Sequence, residues 1–140
     1  MPTVYYGTVH RYKSLIGRPG TPVRPMLPFR IVHLGRTTQE LFALVDSGAD
    51  VSTFHVTVAA LASIDLASTR RETAQGLGGV ATTYVSSVIL EVEGRRFPAD
   101  VHFVTTVPPT VALLGRRDVF RQFRFGFDER ASKLLVEPYS

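Results

Sequence analysis

The sequence of 140 residues contains no cysteine, and it contains no apolar run long enough to span a bilayer. The lack of cysteine excludes disulfide bonds, thiolate nucleophiles and zinc sites with thiolate ligands. Residues 1–6 also lack the basic start and the apolar middle of a secretion signal. We therefore expect a cytoplasmic protein that does not bind membranes.

Motifs for several reaction classes are missing as well. The sequence has no G-x-S-x-G elbow and no phosphate-binding P-loop, so serine-hydrolase and nucleotide chemistry have no starting point. The histidines lack the paired spacing of metal ligands on a helix, and we interpret all four as structural or surface residues: His10, His33, His55 and His102. We expect neither a metal ion nor another cofactor.

Lysine is scarce, and arginine carries nearly all of the positive charge behind the formal net charge of +4. The paired arginines are scattered along the chain and do not alternate with aromatic residues in one stripe: Arg70-Arg71, Arg95-Arg96 and Arg116-Arg117. This pattern favours a solvated surface, and we expect no nucleic-acid partner. A basic β-barrel that binds nucleic acid is the weakest of the alternatives.

Length and composition are those of one globular domain, with 44% hydrophobic and 20% charged residues. Pro19, Pro22 and Pro25 prevent a helix or an inner strand near the start of the chain. We therefore predict a proline-rich N-terminal arm over residues 1–27 and a single domain over residues 28–140. Val9 and the aromatic and β-branched residues before it are also able to form a strand.

Short apolar segments separated by turn signals about every ten residues indicate an all-β, small barrel-like fold. We predict hairpins from residues 29–34 with 40–45, 70–74 with 80–85, 88–93 with 97–104, and 124–127 with 133–136, and a strand at 111–114. One or two short helices are expected, at residues 56–66, which are rich in Ala and Leu, and at residues 116–123, where apolar residues have helical spacing.

An apolar run that ends in a carboxylate is the most informative feature of the sequence. Leu41–Val45 is typical of a buried strand, and Asp46-Ser47-Gly48-Ala49 follows at once. Asp, Ser and Gly are common turn formers, so this stretch alone also fits an ordinary turn. Two later stretches favour more than a turn: a glycine cluster at 75–79 suited to a mobile hairpin tip, and an apolar strand that ends in Gly115-Arg116.

These three stretches, in this order, resemble the retropepsin-like aspartic proteases over residues 28–127. The resemblance implies a closed barrel-like retropepsin fold in which Asp46 is the catalytic carboxylate, Ser47 hydrogen-bonds across a dimer, and Gly48 admits substrate backbone. It also implies a partly buried ion pair between Asp50 and Arg116. Further positions are implied as support for the active site (Ala49, Gly115), as a flap that binds substrate (Gly76, Leu77, Gly78, Gly79) and as pocket walls (Pro109, Val111).

The chain offers only one Asp-Ser-Gly sequence, whereas hydrolysis of a peptide bond by this chemistry needs two carboxylates that share a proton. We therefore expect a homodimer in which each subunit contributes Asp46, with a peptide or protein as substrate. Residues 133–136 are a candidate for the dimer interface. The main alternative is a non-catalytic dimerisation or peptide-binding module with the same fold.

Overall fold

The computed structural model describes residues 7–14, 20–76, 79–109 and 111–140. These residues form eleven strands, one α-helix and one 3-10 turn at Leu66–Ser68. The elements are β1 (Thr8–Arg11), β2 (Met26–His33), β3 (Arg36–Thr37), β4 (Leu41–Val45), β5 (Thr53–His55), α1 (Val56–Leu61), β6 (Arg70–Gly76), β7 (Gly79–Val92), β8 (Arg95–Val104), β9 (Ala112–Leu114), β10 (Phe123–Asp128) and β11 (Lys133–Pro138).

Eight of the strands form one sheet in the order β3-β2-β4-β9-β5-β8-β7-β6. Strand β2 also pairs with β7, so the six strands from β2 to β7 in this order make a ring-like arrangement. The prediction of an all-β fold is confirmed. Over the described residues, no helix is long enough and apolar enough to cross a lipid bilayer.

The core lies inside this ring-like sheet, because alternate residues of its strands point inward. Phe29, Phe54 and Phe103 are fully buried there, with ring centroids 5.0 Å apart for the first pair and 6.1 Å for the second. Burying one such side chain stabilises the fold by roughly 1.5–3 kcal/mol. This core holds the ends of β4 and β9 in place.

Three of the four predicted hairpins are present, and the one predicted from residues 29–34 with 40–45 is only partly correct. Strand β4 pairs with Met26–Phe29, whereas the second half of β2 pairs with β3 and β7. Strands β6 and β7 pair from Arg70↔Val85 to Gly76↔Gly79, so the hairpin predicted as a flap is confirmed as a hairpin. Strands β7 and β8 join through Glu93 and Gly94, which both have positive φ angles of 54° and 74°. Such a turn matches the right-handed twist of paired strands.

One of the two predicted helices is wrong. Residues 116–122 form successive turns, and β10 begins directly after them. The N–H of Gln122 donates to the carbonyl of Val119 only three residues back, while the carbonyl of Gln122 accepts from Tyr139. The apolar residues have helical spacing because Val119, within the turns, and Phe123, at the start of β10, are both buried. The backbone of this segment bonds to other parts of the chain.

The other helix, predicted over residues 56–66, is confirmed in its first half as α1. It begins after His55, whose Nδ1 accepts the N–H of Thr57 at 3.2 Å. It ends before Ser63, which has a positive φ of 56° that a continuing helix does not allow.

A separate antiparallel sheet of three strands has the order β1-β11-β10. Strand β11 is central: Val136 pairs with Thr8 on one side and with Phe125 on the other. Both hydrogen-bonding edges of β11 are therefore used within the chain. A dimer that paired the edge of this strand would have to displace β1 or β10, and the prediction that residues 133–136 supply a dimer interface stays a prediction.

Candidate active site

Strands β4 and β9 are parallel neighbours, and Asp46 lies at their carboxyl ends. Val45 is buried and pairs in parallel with Leu114 of β9, and the N–H of Asp46 donates to the carbonyl of Leu114 at 3.1 Å. The backbone of Asp46 is therefore held by the sheet itself, although its side chain lies beyond the strand.

The residues after β4 form a tight turn that orients the carboxylate. The N–H of Gly48 donates to Asp46 Oδ1 at 2.9 Å, and the N–H of Ala49 donates to the carbonyl of Asp46 at 3.2 Å. Asp46 is half-buried, whereas Ser47 and Gly48 are exposed. The turn interpretation is thus correct for the backbone, and the same turn presents a fixed carboxylate at an open surface.

Strand β9 is inserted between two strands that are consecutive in the sequence. It runs parallel to β4, with Leu44↔Leu113, and antiparallel to β5, with Phe54↔Ala112. The loop from Asp46 to Ser52 connects β4 to β5 and therefore passes over the end of β9.

Gly115 allows the two segments to lie in direct backbone contact. A Cβ atom at this position would lie 2.3 Å from the carbonyl carbon of Val51 and 2.7 Å from the nitrogen of Ser52, so no larger residue fits without movement of the loop. The N–H of Gly115 donates to Ser52 Oγ at 3.0 Å. Gly115, which the sequence analysis assigned to the support of the site, therefore packs closely against the loop.

Ser52 is a residue of this site that the sequence analysis did not select. Its side chain is fully buried, and its carbonyl accepts the N–H of His102 on β8 at 3.0 Å. Ser52 thereby connects the end of the loop to both β9 and β8. Nothing in the sequence distinguishes Ser52 from its polar neighbours Asp50 and Thr53.

Asp50 and Arg116 form the expected ion pair, with 3.5 Å between the Arg116 guanidinium and Asp50 Oδ1. The expectation that the pair is partly buried is wrong, since the side chains are 85% and 61% exposed, respectively. Backbone bonds join the segments here: the N–H groups of Arg116 and Arg117 donate to the carbonyls of Ala49 and Asp50, each at 2.9 Å. The loop is positioned mainly by main-chain contacts, and an exposed pair adds little.

The remaining predicted residues lie on the flap hairpin and in the segment before β9. Gly76 and Gly79 pair at the end of the flap hairpin, on the edge of the sheet formed by β6, while Leu77 and Gly78 lie outside the described residues. Pro109 is exposed, and Val111 is half-buried at the start of β9. Among the described residues, no hydrogen bond joins the flap to the Asp46 loop.

Two ionisable groups lie next to the loop. Burial lowers the pKa of His102 below its ordinary value of 6.5, and its Nε2 has no hydrogen-bond partner in the described part of the chain. Burial raises the pKa of Asp118 above its ordinary value of 3.8, although the N–H of Asp100 donates to its Oδ2 at 3.3 Å and opposes the shift. Both groups therefore favour their neutral forms more than in water.

The described residues bring a single carboxylate into the Asp46 turn. No other carboxylate is hydrogen-bonded to Asp46 within this part of the chain, and the nearest in sequence, Asp50, pairs with Arg116. Within the described residues, one chain therefore presents a single carboxylate at this turn. No protein-family model matches the sequence and a search of curated proteins finds no relative, so the residues and geometry of this site are the basis for assigning a function.

Proposed function

We propose that the protein is an aspartic endopeptidase that acts as a homodimer, with Asp46 of each subunit forming the catalytic dyad. The observation that carries this proposal is the Asp46 turn: a carboxylate oriented by the N–H of Gly48 and anchored by its own backbone to the carbonyl of Leu114. The ordered likeness of the three sequence stretches to the retropepsin-like proteases agrees with it.

The chemistry explains why two copies are needed. Two carboxylates a few ångströms apart cannot both ionise easily, so they share one proton, and their titrations belong to the pair. The ionised member removes a proton from water, which attacks the peptide carbonyl, and the protonated member supplies the proton that the departing amine requires. The exposed Ser47 and Gly48 leave the face of Asp46 accessible to a second subunit and to a peptide.

The other residues have supporting roles in this proposal. Gly115, Asp50 and Arg116 hold the loop against β9, and Ser47 hydrogen-bonds across the dimer. The flap, including Gly76, Leu77, Gly78 and Gly79, closes over a peptide and excludes water, with Pro109 and Val111 lining the pocket. The substrate is a peptide with apolar residues around the scissile bond, no cofactor takes part, and the protein acts in the cytoplasm.

The test uses three proteins: wild type, Asp46→Asn, and Glu40→Gln as a control that removes an exposed carboxylate elsewhere. A degenerate peptide mixture is incubated with each, and the products are identified by mass spectrometry. We expect cleavage by the wild type and the control, inhibition by pepstatin, and a loss of about a thousandfold or more in Asp46→Asn. Equal cleavage by Asp46→Asn contradicts the proposal.

Mixing experiments test the dimer separately. Excess Asp46→Asn protein forms mixed dimers that hold one ionisable dyad residue, so it should suppress the activity of a fixed amount of wild type. The suppression should follow the fraction of mixed dimers measured by sedimentation. Activity that is unchanged by excess Asp46→Asn protein assigns the chemistry to a single chain and contradicts the shared dyad.

A non-catalytic peptide-binding module is the second candidate, and the exposed turn with one carboxylate per chain is the observation that favours it. It predicts that wild type and Asp46→Asn bind peptides equally and that neither cleaves them. Binding without cleavage in a protein shown by sedimentation to be a dimer selects this candidate.

A further inference from the structure

A basic pocket lies beside the Asp46 loop. It has a volume of about 490 Å³ and is lined by Asp50, Arg116, Arg117, Phe120 and Arg121. Its position is fixed because the N–H groups of Arg116 and Arg117 donate to the carbonyls of Ala49 and Asp50. Asp50, which lines the pocket, is four positions after the proposed catalytic Asp46, so the pocket is attached to the same loop.

The charges of this pocket are not balanced. Three guanidinium groups line it, and the only carboxylate in its lining is that of Asp50, which pairs with Arg116. Within the described residues, no carboxylate oxygen lies within 4.0 Å of the guanidinium of Arg117 or Arg121, and both groups belong to exposed residues. Two unpaired cations that line one pocket favour the binding of an anionic group.

A second carboxylate near these arginines, Asp118, is bound to the backbone. Arg117 and Arg121 both act on Asp118, but Asp118 Oδ2 accepts the N–H of Asp100, and burial raises its pKa. Asp118 is thus turned toward the β8 backbone and held partly out of water. Arg117 and Arg121 remain available to a ligand.

The pocket also has an apolar wall. Phe120 is half-buried, and its ring packs against that of Phe125 with centroids 4.7 Å apart. A short aliphatic stem that ends in a carboxylate fits such a lining, because the stem contacts the ring while its oxygens reach the two guanidinium groups. Glutamate and aspartate side chains have this form.

We propose that this pocket binds an acidic side chain of the peptide substrate, so that the enzyme prefers sequences with glutamate or aspartate flanking the apolar scissile site. The inference rests on the proposed function, since it describes a subsite of the same catalytic loop. The basic pocket recruits the acidic flank, and Asp46 acts on the neighbouring bond.

A nucleic acid is the less suitable ligand for this surface. Binding to its backbone needs a continuous track of cations, whereas the other paired arginines lie elsewhere and are engaged: Arg70 with Glu72, Arg71 over the ring of Tyr84, Arg96 with Glu91, and Arg95 with the carbonyls of Gln122 and Tyr139. The exposed carboxylate of Asp50 on the rim also repels a chain of phosphates. A single side-chain carboxylate meets less of this repulsion, because it carries one charge and Asp50 is itself paired with Arg116.

Binding is measured on the Asp46→Asn protein, so that no peptide is consumed. Two fluorescein-labelled twelve-residue peptides share an apolar centre and differ only in flanking glutamate or glutamine. By fluorescence anisotropy at low salt, we expect the glutamate peptide to bind about tenfold more tightly, with the difference shrinking as salt is added. Adding Arg117→Gln and Arg121→Gln should remove the difference, whereas Arg36→Gln with Arg130→Gln, two exposed arginines elsewhere, should leave it.

Cleavage of the same two peptides by the protein with an intact Asp46 separates the inference from the proposed function. Faster cleavage of the glutamate peptide, lost in the Arg117/Arg121 variant while cleavage of the glutamine peptide persists, supports both. Cleavage with no preference between the peptides, together with equal binding, overturns the acidic subsite and leaves the endopeptidase proposal standing. Selective binding without any cleavage supports the pocket and overturns the endopeptidase proposal.

A single-stranded oligonucleotide that displaces the glutamate peptide at lower concentration than unlabelled peptide overturns the inference in favour of a nucleic-acid ligand.

Discussion

Replacing Gly115 with alanine should destabilise the protein more than any other glycine-to-alanine change in the strands and loops of the site. The added Cβ would lie 2.3 Å from the carbonyl carbon of Val51, 2.4 Å from its oxygen and 2.7 Å from the nitrogen of Ser52. All three are backbone atoms, so the clash is relieved only if the Asp46 loop moves away from β9. No change of side-chain rotamer relieves it.

The expected cost has two parts. Overpacking of a well-packed site costs roughly 1–3 kcal/mol. Movement of the loop also lengthens the 3.0 Å bond from the Gly115 N–H to the buried Ser52 Oγ, and an unsatisfied buried group costs roughly 1–3 kcal/mol. We expect a loss of about 4 kcal/mol in the free energy of unfolding, a large share of the roughly 5–15 kcal/mol that holds a domain folded. The melting temperature should fall by about 12 °C, at about 3 °C per kcal/mol for a chain of this length.

The assay is urea unfolding followed by circular dichroism, at one fixed protein concentration so that any association affects all variants equally. Gly126→Ala is the matched control, because its Cβ would meet only the side chain of Leu135, at 3.3 Å, and we expect it to cost less than about 1 kcal/mol. If Gly115→Ala unfolds within about 1 kcal/mol of the wild type, the close backbone contact is not what holds the loop, and the reasoning is refuted.

Three further predictions concern the same region. In Gly48→Ala, the new Cβ would lie 3.2 Å from Asp46 Oδ1, so peptide cleavage should fall about tenfold or more with little change in stability; a variant as active as wild type would show that the carboxylate tolerates displacement. A double-mutant cycle with Asp50→Asn and Arg116→Gln should give a coupling below about 0.5 kcal/mol in urea unfolding, since both side chains are exposed; a coupling above about 2 kcal/mol would show that the pair is buried in solution. Burial lowers the pKa of His102 below 6.5, so the unfolded chain binds a proton at this residue before the folded chain does as the pH falls. His102 therefore makes the free energy of unfolding decline from about pH 6.5 down to its lowered pKa. His102→Gln should flatten that part of the urea-unfolding profile, and an unchanged slope would exclude His102 as its source.

Much of the fold follows from local patterns. The hairpin of β6 and β7 and the hairpin of β7 and β8 were predicted from alternating apolar residues and glycine turns, and both are present. The helix predicted at 116–123 is wrong because helical spacing of apolar residues does not distinguish a helix from a turn whose inward-facing residues have similar intervals. The N–H groups of Arg116 and Arg117 donate to carbonyls of the Asp46 loop, and such long-range bonds leave no local signal.

The exposure of the candidate site could not be predicted in the same way. The sequence predicted that Asp50 and Arg116 meet, and they do, but their surroundings depend on which parts of the chain cover them. Ser52 went unnoticed for the same reason, because its partner Gly115 is far away in the sequence. Burial of a polar group is a property of the assembled sheet.

By itself, the amino-acid order determined the strands, their turns, and the placement of Asp46 at the end of an apolar run, because each depends on residues within a few positions of one another. Only the tertiary structure decided that β9 lies between β4 and β5, that β11 has no free edge, and that three arginines surround one pocket beside the Asp46 loop. These features depend on pairings between distant segments, and such pairings are selected by the packing of the whole core.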